Sequence, residues 1–130
     1  MTISQPAELP RSFAVLWGAR DALGIAQLFA EDGELISLTG GAAQGRAAIA
    51  ELTAGEFAGA FQRARLVTGR TRLRPIGTDV TVLMQRFVLS GLVDESGGDA
   101  GRIGAAFCAT LERNPAQGWL IVAAQFVVEA

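Results

Sequence analysis

The chain has 130 residues and a mass of 13.6 kDa, which is the size of one ordinary domain. Half of its residues are hydrophobic and 18% are charged, so a disordered chain is excluded. With 11 Lys and Arg residues against 13 Asp and Glu residues, the net charge is only -2. We therefore expect no general attraction to nucleic acid or to anionic membranes.

The residue types that are missing limit the chemistry further. The sequence has no histidine and no tyrosine, which removes histidine-activated nucleophiles, histidine-ligated metals and tyrosine proton donors. We expect no metal and no cofactor. The single cysteine, Cys108, cannot form an internal disulfide, and its Ala and Phe neighbours are typical of a small core residue. Apolar runs shorter than a membrane span and an N-terminus unlike a secretory signal predict a soluble, cytoplasmic protein.

The first quarter of the chain predicts an arm and two helices. Residues 1–10 are polar with two prolines and predict a loose arm, followed by one domain over residues 11–130. Ser12 is a possible N-cap for an amphipathic first helix. Asp21 can cap a second helix that ends at Asp32-Gly33, before a short strand over residues 34–38.

The segment GGAAQGRA, residues 40–47, is close to a phosphate-binding loop. Arg46 replaces the lysine of that motif, and Ala47 cannot ligate magnesium, so nucleotide hydrolysis is rejected. An anion at the start of the helix that follows stays possible. This third helix is predicted from Arg46 to Phe61.

The second half of the chain predicts strands. Residues 65–75, 80–93, 102–113 and 119–129 are rich in β-branched and aromatic residues and are separated by turn-forming stretches. They indicate a four-stranded antiparallel meander and an α+β fold with helices on one face. The last strand, WLIVAAQFVVE, is apolar on both alternating faces, so we expect a second copy to cover the outer one in a homodimer.

A set of short motifs follows the same order as in a known superfamily. They are LFAED at residues 28–32, Gly45-Arg46 with Ala48 and Ile49, Phe57 and Phe61, the hairpin from Arg72 to Val80, and Gly118-Trp119 with Ile121. In these residues the chain resembles the nuclear-transport-factor-2-like (NTF2-like) superfamily, with its SnoaL-like cyclases, and is most similar to the SgcJ/EcaC group. The resemblance implies a cone-shaped, cystatin-like roll with three N-terminal helices packed on a curved antiparallel sheet.

The chain departs from that family at the positions that carry its chemistry. By spacing, Thr53 and Gln125 stand where the subgroup often has histidines. The resemblance to the isomerases would put a general base near Ser37, and the tyrosine of their first helix has no counterpart here.

Two carboxylates are candidate bases. Asp32 could act if burial disfavoured its charged form, but an acidic pair before a glycine is more typical of a turn. Glu56 lies one helical turn from Thr53 and could point into the cone, although a solvated helix face explains it as well. Arg70, Arg72 and Arg74 share one strand face and could bind an acidic ligand; solvation and strand partners such as Glu112 explain them more simply.

We therefore expect a homodimeric domain that binds a small, mostly apolar molecule in the cone and has no evident catalytic group. The expected pocket consists of apolar walls with a few polar points: Trp17, Phe29, Ser37, Thr53, Glu56, Phe57, Met84, Trp119 and Gln125. Gln125 is placed inward because it shares strand parity with Trp119 and Ile121.

Two alternatives stay open. One is an isomerase, cyclase or dehydratase that uses Glu56 or Asp32 as its base, with Gln125 or Thr53 as the oxyanion donor. The other is a structural dimerisation module with a collapsed cone.

Overall fold

The computed structural model describes residues 2–59 and 61–129. A short 3-10 helix, Pro6–Glu8, precedes helix α1, Leu9–Gly18, and the other helices are α2, Ala22–Gln27, and α3, Arg46–Ala58. The strands are β1, Phe29–Ile36; β2, Ala42–Gln44; β3, Arg65–Ile76; β4, Val80–Ser90; β5, Ile103–Asn114; and β6, Gly118–Val128. The fold is α+β, as the sequence predicts. Within the described ranges, none of the helices has the length and apolar character that a membrane crossing needs.

The six strands form one sheet in the order β2-β1-β6-β5-β4-β3. Strands β3 to β6 are the predicted antiparallel meander, but β1 pairs with β6 in parallel. The sheet is therefore mixed, and the expectation of a wholly antiparallel sheet is wrong. A parallel pair needs a long connection, and here α3 and the strands β3 to β5 lie between its two members.

The helices differ from the prediction in two respects: the number of α-helices that precede the sheet, and the residues at which the helices begin and end. Of the α-helices in residues 2–59 and 61–129, α1 and α2 precede the sheet and α3 follows β1 and β2. Helix α1 begins at Leu9 rather than Ser12, since Pro10 suits the first helical turn. Asp21 caps α2 as predicted, accepting a 2.8 Å hydrogen bond from the amide of Gly24. The chain is already extended at Phe29, so α2 ends at Gln27.

The segment that the sequence assigns to a loose arm lies against the start of β6. Ile3 is 2% exposed and forms a bridge to Gly118, and its carbonyl accepts a 2.8 Å hydrogen bond from the amide of Trp119. Leu9 and Pro10 are also buried. This segment therefore closes one end of the core.

The core lies between the helices and one face of the sheet, and phenylalanines fill its centre. Phe13 of α1 meets Phe107 of β5 at 5.0 Å between ring centroids, and Phe107 meets Phe126 of β6 at 4.8 Å. Phe87 of β4 completes the cluster at 5.9 Å from Phe107. Tilted and edge-on pairs of this kind add about 0.5–1.5 kcal/mol each beyond their buried area. We call these four rings the phenylalanine cluster.

The opposite face of the sheet, which no helix covers among the described residues, is called the outer face. A bulge in β6 decides which side chains reach it. Thr110 pairs with Ala123 but Leu111 pairs with Ile121, so Val122 is an extra residue without an opposite partner. The inward and outward positions exchange at this point, and Ile121 and Ala124 both face the core.

A second bulge has the same effect in β3. Thr68 pairs with Phe87 and Thr71 with Gln85, which leaves two β3 residues opposite Arg86. The buried Gln85 holds this bulge, because its amide nitrogen donates to the carbonyls of Gly69 at 3.2 Å and Arg86 at 2.8 Å, and its oxygen accepts from the Thr71 hydroxyl. Beyond the bulge, alternate residues of β3 point to the outer face.

We predict that Phe107→Ala lowers the free energy of unfolding by about 3–5 kcal/mol, because it removes the ring that makes the two closest contacts of the phenylalanine cluster and leaves a cavity. Urea denaturation followed by circular dichroism measures the change. Leu23→Ala is the control, since Leu23 is 72% exposed on α2 and its loss is expected to cost less than about 0.5 kcal/mol. Equal effects of the two substitutions would contradict the central role of the cluster.

Candidate functional site

The aromatic residues expected to line a pocket are packed into the core. Phe29 is fully buried, and Trp17 and Phe57 meet edge to face with 5.2 Å between centroids. The guanidinium of Arg20 lies 5.7 Å from the Trp17 ring and 5.6 Å from the Phe57 ring, and it donates to the carbonyl of Trp17 at 2.9 Å. Burial lowers the pKa of Arg20, and Arg65 nearby acts in the same direction. Together with the phenylalanine cluster, these side chains fill the cone.

The polar groups that are buried cannot move a proton near neutral pH. Within residues 2–59 and 61–129 the buried polar side chains are Ser37, Thr53, Thr81 and Gln85, and none of them is ionisable. Thr53 and Ser37 are thus buried, and neither side chain is itself an acid or a base. The interior of the cone has the composition of a structural core.

A polar chain links the end of β1 to α3 at the rim of the cone. The hydroxyl of Thr39 donates to Oε2 of Glu56 at 2.6 Å, and it lies 3.0 Å from the hydroxyl of Ser37. The single hydroxyl proton of Thr39 is used in the hydrogen bond to the carboxylate of Glu56. Ser37 must therefore be the donor in the hydrogen bond between the two hydroxyls. Glu56 is the candidate base that the structure brings to another predicted site residue, Ser37.

The same carboxylate borders a cavity of about 430 Å³ on the outside of α3. Its lining is formed by Thr39, Glu51, Leu52, Gly55, Glu56, Gly59 and Phe61. Asp32, the other candidate base, is exposed on β1 and lies away from this lining. A carboxylate at the mouth of a cavity of this size could bind or deprotonate a small molecule, whereas Asp32 faces water.

The largest of the described cavities lies on the outer face. It measures about 680 Å³ and is lined from β1, β2, β5 and β6 by Glu34, Leu35, Ile36, Ala42, Ala43, Gln44, Cys108, Thr110, Ala123, Ala124 and Gln125. Most of these side chains are small, and Glu34, Gln44 and Gln125 are its longer polar groups. We call it the sheet hollow.

Two residues assigned to the cone belong to the outer face instead. Gln125 pairs with Cys108 and lines the sheet hollow; its inward placement is wrong because the bulge at Val122 reverses the strand parity that Trp119 and Ile121 set. Met84 is the residue of β4 opposite Cys108 and is 39% exposed, since the inward positions of β4 are the odd-numbered ones. The cone therefore lacks both.

Trp119 packs against the edge of the core. It is partly exposed and borders a cavity of about 310 Å³ between the N-terminal segment and the hairpin before β6. Arg46 reaches this cavity, donating to the carbonyl of Phe29 at 2.8 Å and to the side-chain oxygen of Gln117 at 3.1 Å. With these bonds Arg46 ties the start of α3 to β1, which is a structural role.

Charge is distributed unevenly over the outer face. Two ion pairs are found in the described part of the chain, Arg86–Glu129 and Arg113–Asp79, and neither includes an arginine of β3. Strand β3 carries four exposed arginines and no acidic residue: Arg65, Arg70, Arg72 and Arg74. At the far side of the sheet, Glu34 is exposed on β1. On the outer face the exposed arginines of β3 therefore lie at one side and Glu34 of β1 at the other, with Glu112 of β5 between them.

Two features of these sites escaped sequence reasoning. Thr39, which joins Ser37 to Glu56, lies in a turn and is followed by two glycines. Its contact with α3 is not indicated by the residues around it in the sequence. The sheet hollow depends on β2, Ala42–Gln44, a strand of three residues that the sequence places in a turn. The spacing of Ser37 and Thr39, two hydroxyls on alternate positions after a strand, is the signal that could have indicated a polar rim.

Comparison with solved structures identifies the fold. A protein described as NTF2-like with a cystatin-like fold, from Novosphingobium aromaticivorans, is 28% identical and has a TM-score of 0.78, over 93% of this chain and 77% of that one. An uncharacterized protein with a cystatin-like fold from Caulobacter vibrioides is 14% identical with a TM-score of 0.83, over 95% and 87% of the two chains. LinA is 18% identical with a TM-score of 0.84, over 95% and 83%.

The chain has the cystatin-like fold of NTF2-like proteins. The resemblance found in the sequence is confirmed at this level. No family model matches the chain, and no curated protein matches it.

We predict that Arg86→Gln raises the pKa of Glu129. Its pKa is lowered mainly by the side-chain hydrogen bond from Arg86, whose Nε and Nη2 each donate at 2.9 Å. Because the folded-state pKa is below the unfolded one, the stabilisation by this pair is present at neutral pH and is lost as the pH falls through the folded-state value. Carboxyl-carbon NMR titration measures the shift.

Arg113→Gln is the matched control for this titration. It removes the other ion pair, to Asp79, and is expected to leave the pKa of Glu129 unchanged. An unchanged pKa of Glu129 in Arg86→Gln would show that the pair does not persist in solution.

Proposed function

We propose that this domain is a homodimerisation module whose outer face binds a second copy of the chain, and that its cone is a packed core. The observation that carries the proposal is the contrast between the two faces of the sheet. The inner face is closed by the phenylalanine cluster, whereas the outer face exposes apolar side chains along several strands.

The exposed apolar residues of the outer face come from the centre and both sides of the sheet. Ile36 of β1 is 45% exposed, Met84 of β4 is 39% exposed, Val67 of β3 is 54% exposed and Val127 of β6 is 53% exposed. Between them lie small or partly exposed residues such as Ala106. Exposed apolar surface that extends across a sheet is typical of a protein interface.

A small apolar ligand inside the cone, the function first expected from the sequence, is less well supported. Such a ligand needs an apolar hollow with an opening, and pockets for small molecules measure about 300–1,000 Å³. The cavities of that size described above lie at the rim, on the outer face and between the N-terminal segment and the hairpin before β6. A ligand in the cone would have to displace rings that are in mutual contact at 4.8–5.0 Å.

One observation favours a second candidate function. Thr39 and Glu56 of the Ser37–Thr39–Glu56 chain both line the 430 Å³ rim cavity, so an enzyme that uses Glu56 as its base is the alternative. The motifs at residues 28–32 and at Gly118-Trp119 also support placing the chain in the SgcJ/EcaC group, which we propose at the level of the subgroup.

We predict that the wild-type chain sediments as a dimer and that Met84→Arg raises the dimer dissociation constant at least about 100-fold, because it buries a further cation beside Arg72, its cross-strand neighbour, at the centre of the interface. Sedimentation equilibrium over a range of concentrations measures the constant. Leu23→Arg is the control, since Leu23 is exposed on α2, away from the outer face, and its substitution should leave the constant unchanged.

Native mass spectrometry of freshly purified protein separates the candidate functions. A dimer without added mass supports the module. A retained small molecule that is lost in Glu56→Gln but kept in Glu51→Gln, another carboxylate of the same lining, would support the enzyme. A wild-type chain that stays monomeric at every concentration would contradict the module.

A further inference from the structure

We propose that the two-fold axis of this homodimer runs along the strands and passes over β5, so that β3 of each copy lies over β1 of the other. The inference rests on the proposed homodimer and adds its orientation and the contacts that select it. The observations that carry it are the register of the sheet and the separation of charge across the outer face.

One row of cross-strand neighbours connects Arg74 of β3 to Glu34 of β1. Arg74 pairs with Val82, Val82 with Thr110, Thr110 with Ala123, and Ala123 with Glu34. Because directly paired residues of a sheet share a face, all five side chains are on the outer face. The row runs from Arg74 on the edge strand β3 to Glu34 on β1, the strand next to the opposite edge strand β2.

The axis over β5 brings these two ends together. Strand β5 lies two strands from β3 and two strands from β1 in the sheet order. A two-fold rotation about a line along β5 does not move a row of paired residues along the strand direction. It places the β3 end of the row in one copy over the β1 end of the same row in the other copy. Arg74 of each copy then faces Glu34 of the other, and the contact is made twice.

The other two-fold arrangement of stacked sheets is disfavoured by charge. With the axis across the strands, β3 lies over β3, and Arg70, Arg72 and Arg74 of one copy face the same residues of the other. Both arrangements keep the strands of the two sheets aligned, as packed sheets require, so alignment does not select between them. Like charges across an interface cost several kcal/mol, whereas opposite charges guide association. Glu112 of β5 also lies on the outer face and meets its own copy once across this axis, which is one repulsive contact. The two Arg74–Glu34 contacts outnumber it, so the charge pattern as a whole favours the axis along the strands.

In this arrangement the second copy of the chain covers the sheet hollow. It extends from β5 to β2 and includes Glu34 and Gln125, and the strands that lie over it belong to the β3 side of the second copy. The side chains that face it there are Arg72 and Arg74, on adjacent rows of β3. Arginine suits this position because its guanidinium can bind a carboxylate in a bidentate manner and also pack against apolar side chains.

Charge reversal tests the orientation. Arg74→Glu and Glu34→Arg, each alone, should raise the dimer dissociation constant at least about tenfold, because each change replaces two attractive contacts by two repulsive ones. Mixing the two variants in equal amounts should restore a heterodimer of about wild-type affinity, because both of its contacts are again between opposite charges. Sedimentation equilibrium with one variant fluorescently labelled measures all three constants, and circular dichroism confirms that each variant is folded.

The unwanted outcomes are distinct from one another. A tighter dimer for Arg74→Glu would support the arrangement with β3 over β3 and would overturn the proposed orientation. Unchanged dissociation constants for both variants would also overturn the orientation. In either case a dimer that persists leaves the homodimer proposal intact. A monomeric wild-type chain would remove both proposals. Arg113→Glu is the matched control, since Arg113 lies at the far end of β5 in an ion pair and is expected to change the constant less than twofold.

Cross-linking gives a second, independent measurement of the axis position. Cys108 is the single cysteine and points to the outer face from β5, next to Met84 and Gln125. With the axis over β5, the two copies of Cys108 lie across the interface from each other, and a short bis-maleimide should join them in high yield. A yield equal to that of Cys108→Ser carrying Leu23→Cys would overturn this position of the axis.

Discussion

The packing of phenylalanine rings at the centre of the cone is the constraint on which the other properties of this domain depend. Rings from α1, β4, β5 and β6 meet there, and they occupy the volume that a pocket would need. Since the inner face of the sheet is closed in this way, the surfaces that remain for recognition are the rim beside α3 and the outer face. A fold with a hollow cone and a fold with a solid one thus differ by a few large side chains.

Two bulges distribute the residues between the faces. In β6, Val122 moves Gln125 to the outer face, and in β3 the bulge that Gln85 holds does the same for Arg72 and Arg74. The polar lining of the sheet hollow and the arginines opposite to it in the proposed dimer are therefore products of the same backbone device. Bulges are known to redirect side chains near functional surfaces.

The sequence predicted the α+β class, the meander from β3 to β6 and the cap at Asp21, because these features depend on local composition and turn residues. It did not predict the parallel pairing of β1 with β6, which joins segments far apart in the chain, nor the three-residue strand β2. Gln125 and Met84 were assigned to the wrong face, since a bulge at Val122 has no compositional signature among apolar neighbours, and the even positions of β4 are apolar as well. For the candidate site, the rim carboxylate Glu56 could be singled out, but its partner Thr39 could not.

The position of β1 in the sheet also affects how the chain is made. During synthesis β1 leaves the ribosome well before β6, the strand beside it, because α3 and the strands β2 to β5 lie between them in the chain. Until β6 is available, the edge of β1 that pairs with it has free amide and carbonyl groups. The other edge of β1 pairs with the short strand β2. Such an unpaired edge can add to strands of other nascent chains, so the interval between the synthesis of β1 and of β6 is the period in which this chain is most exposed to aggregation.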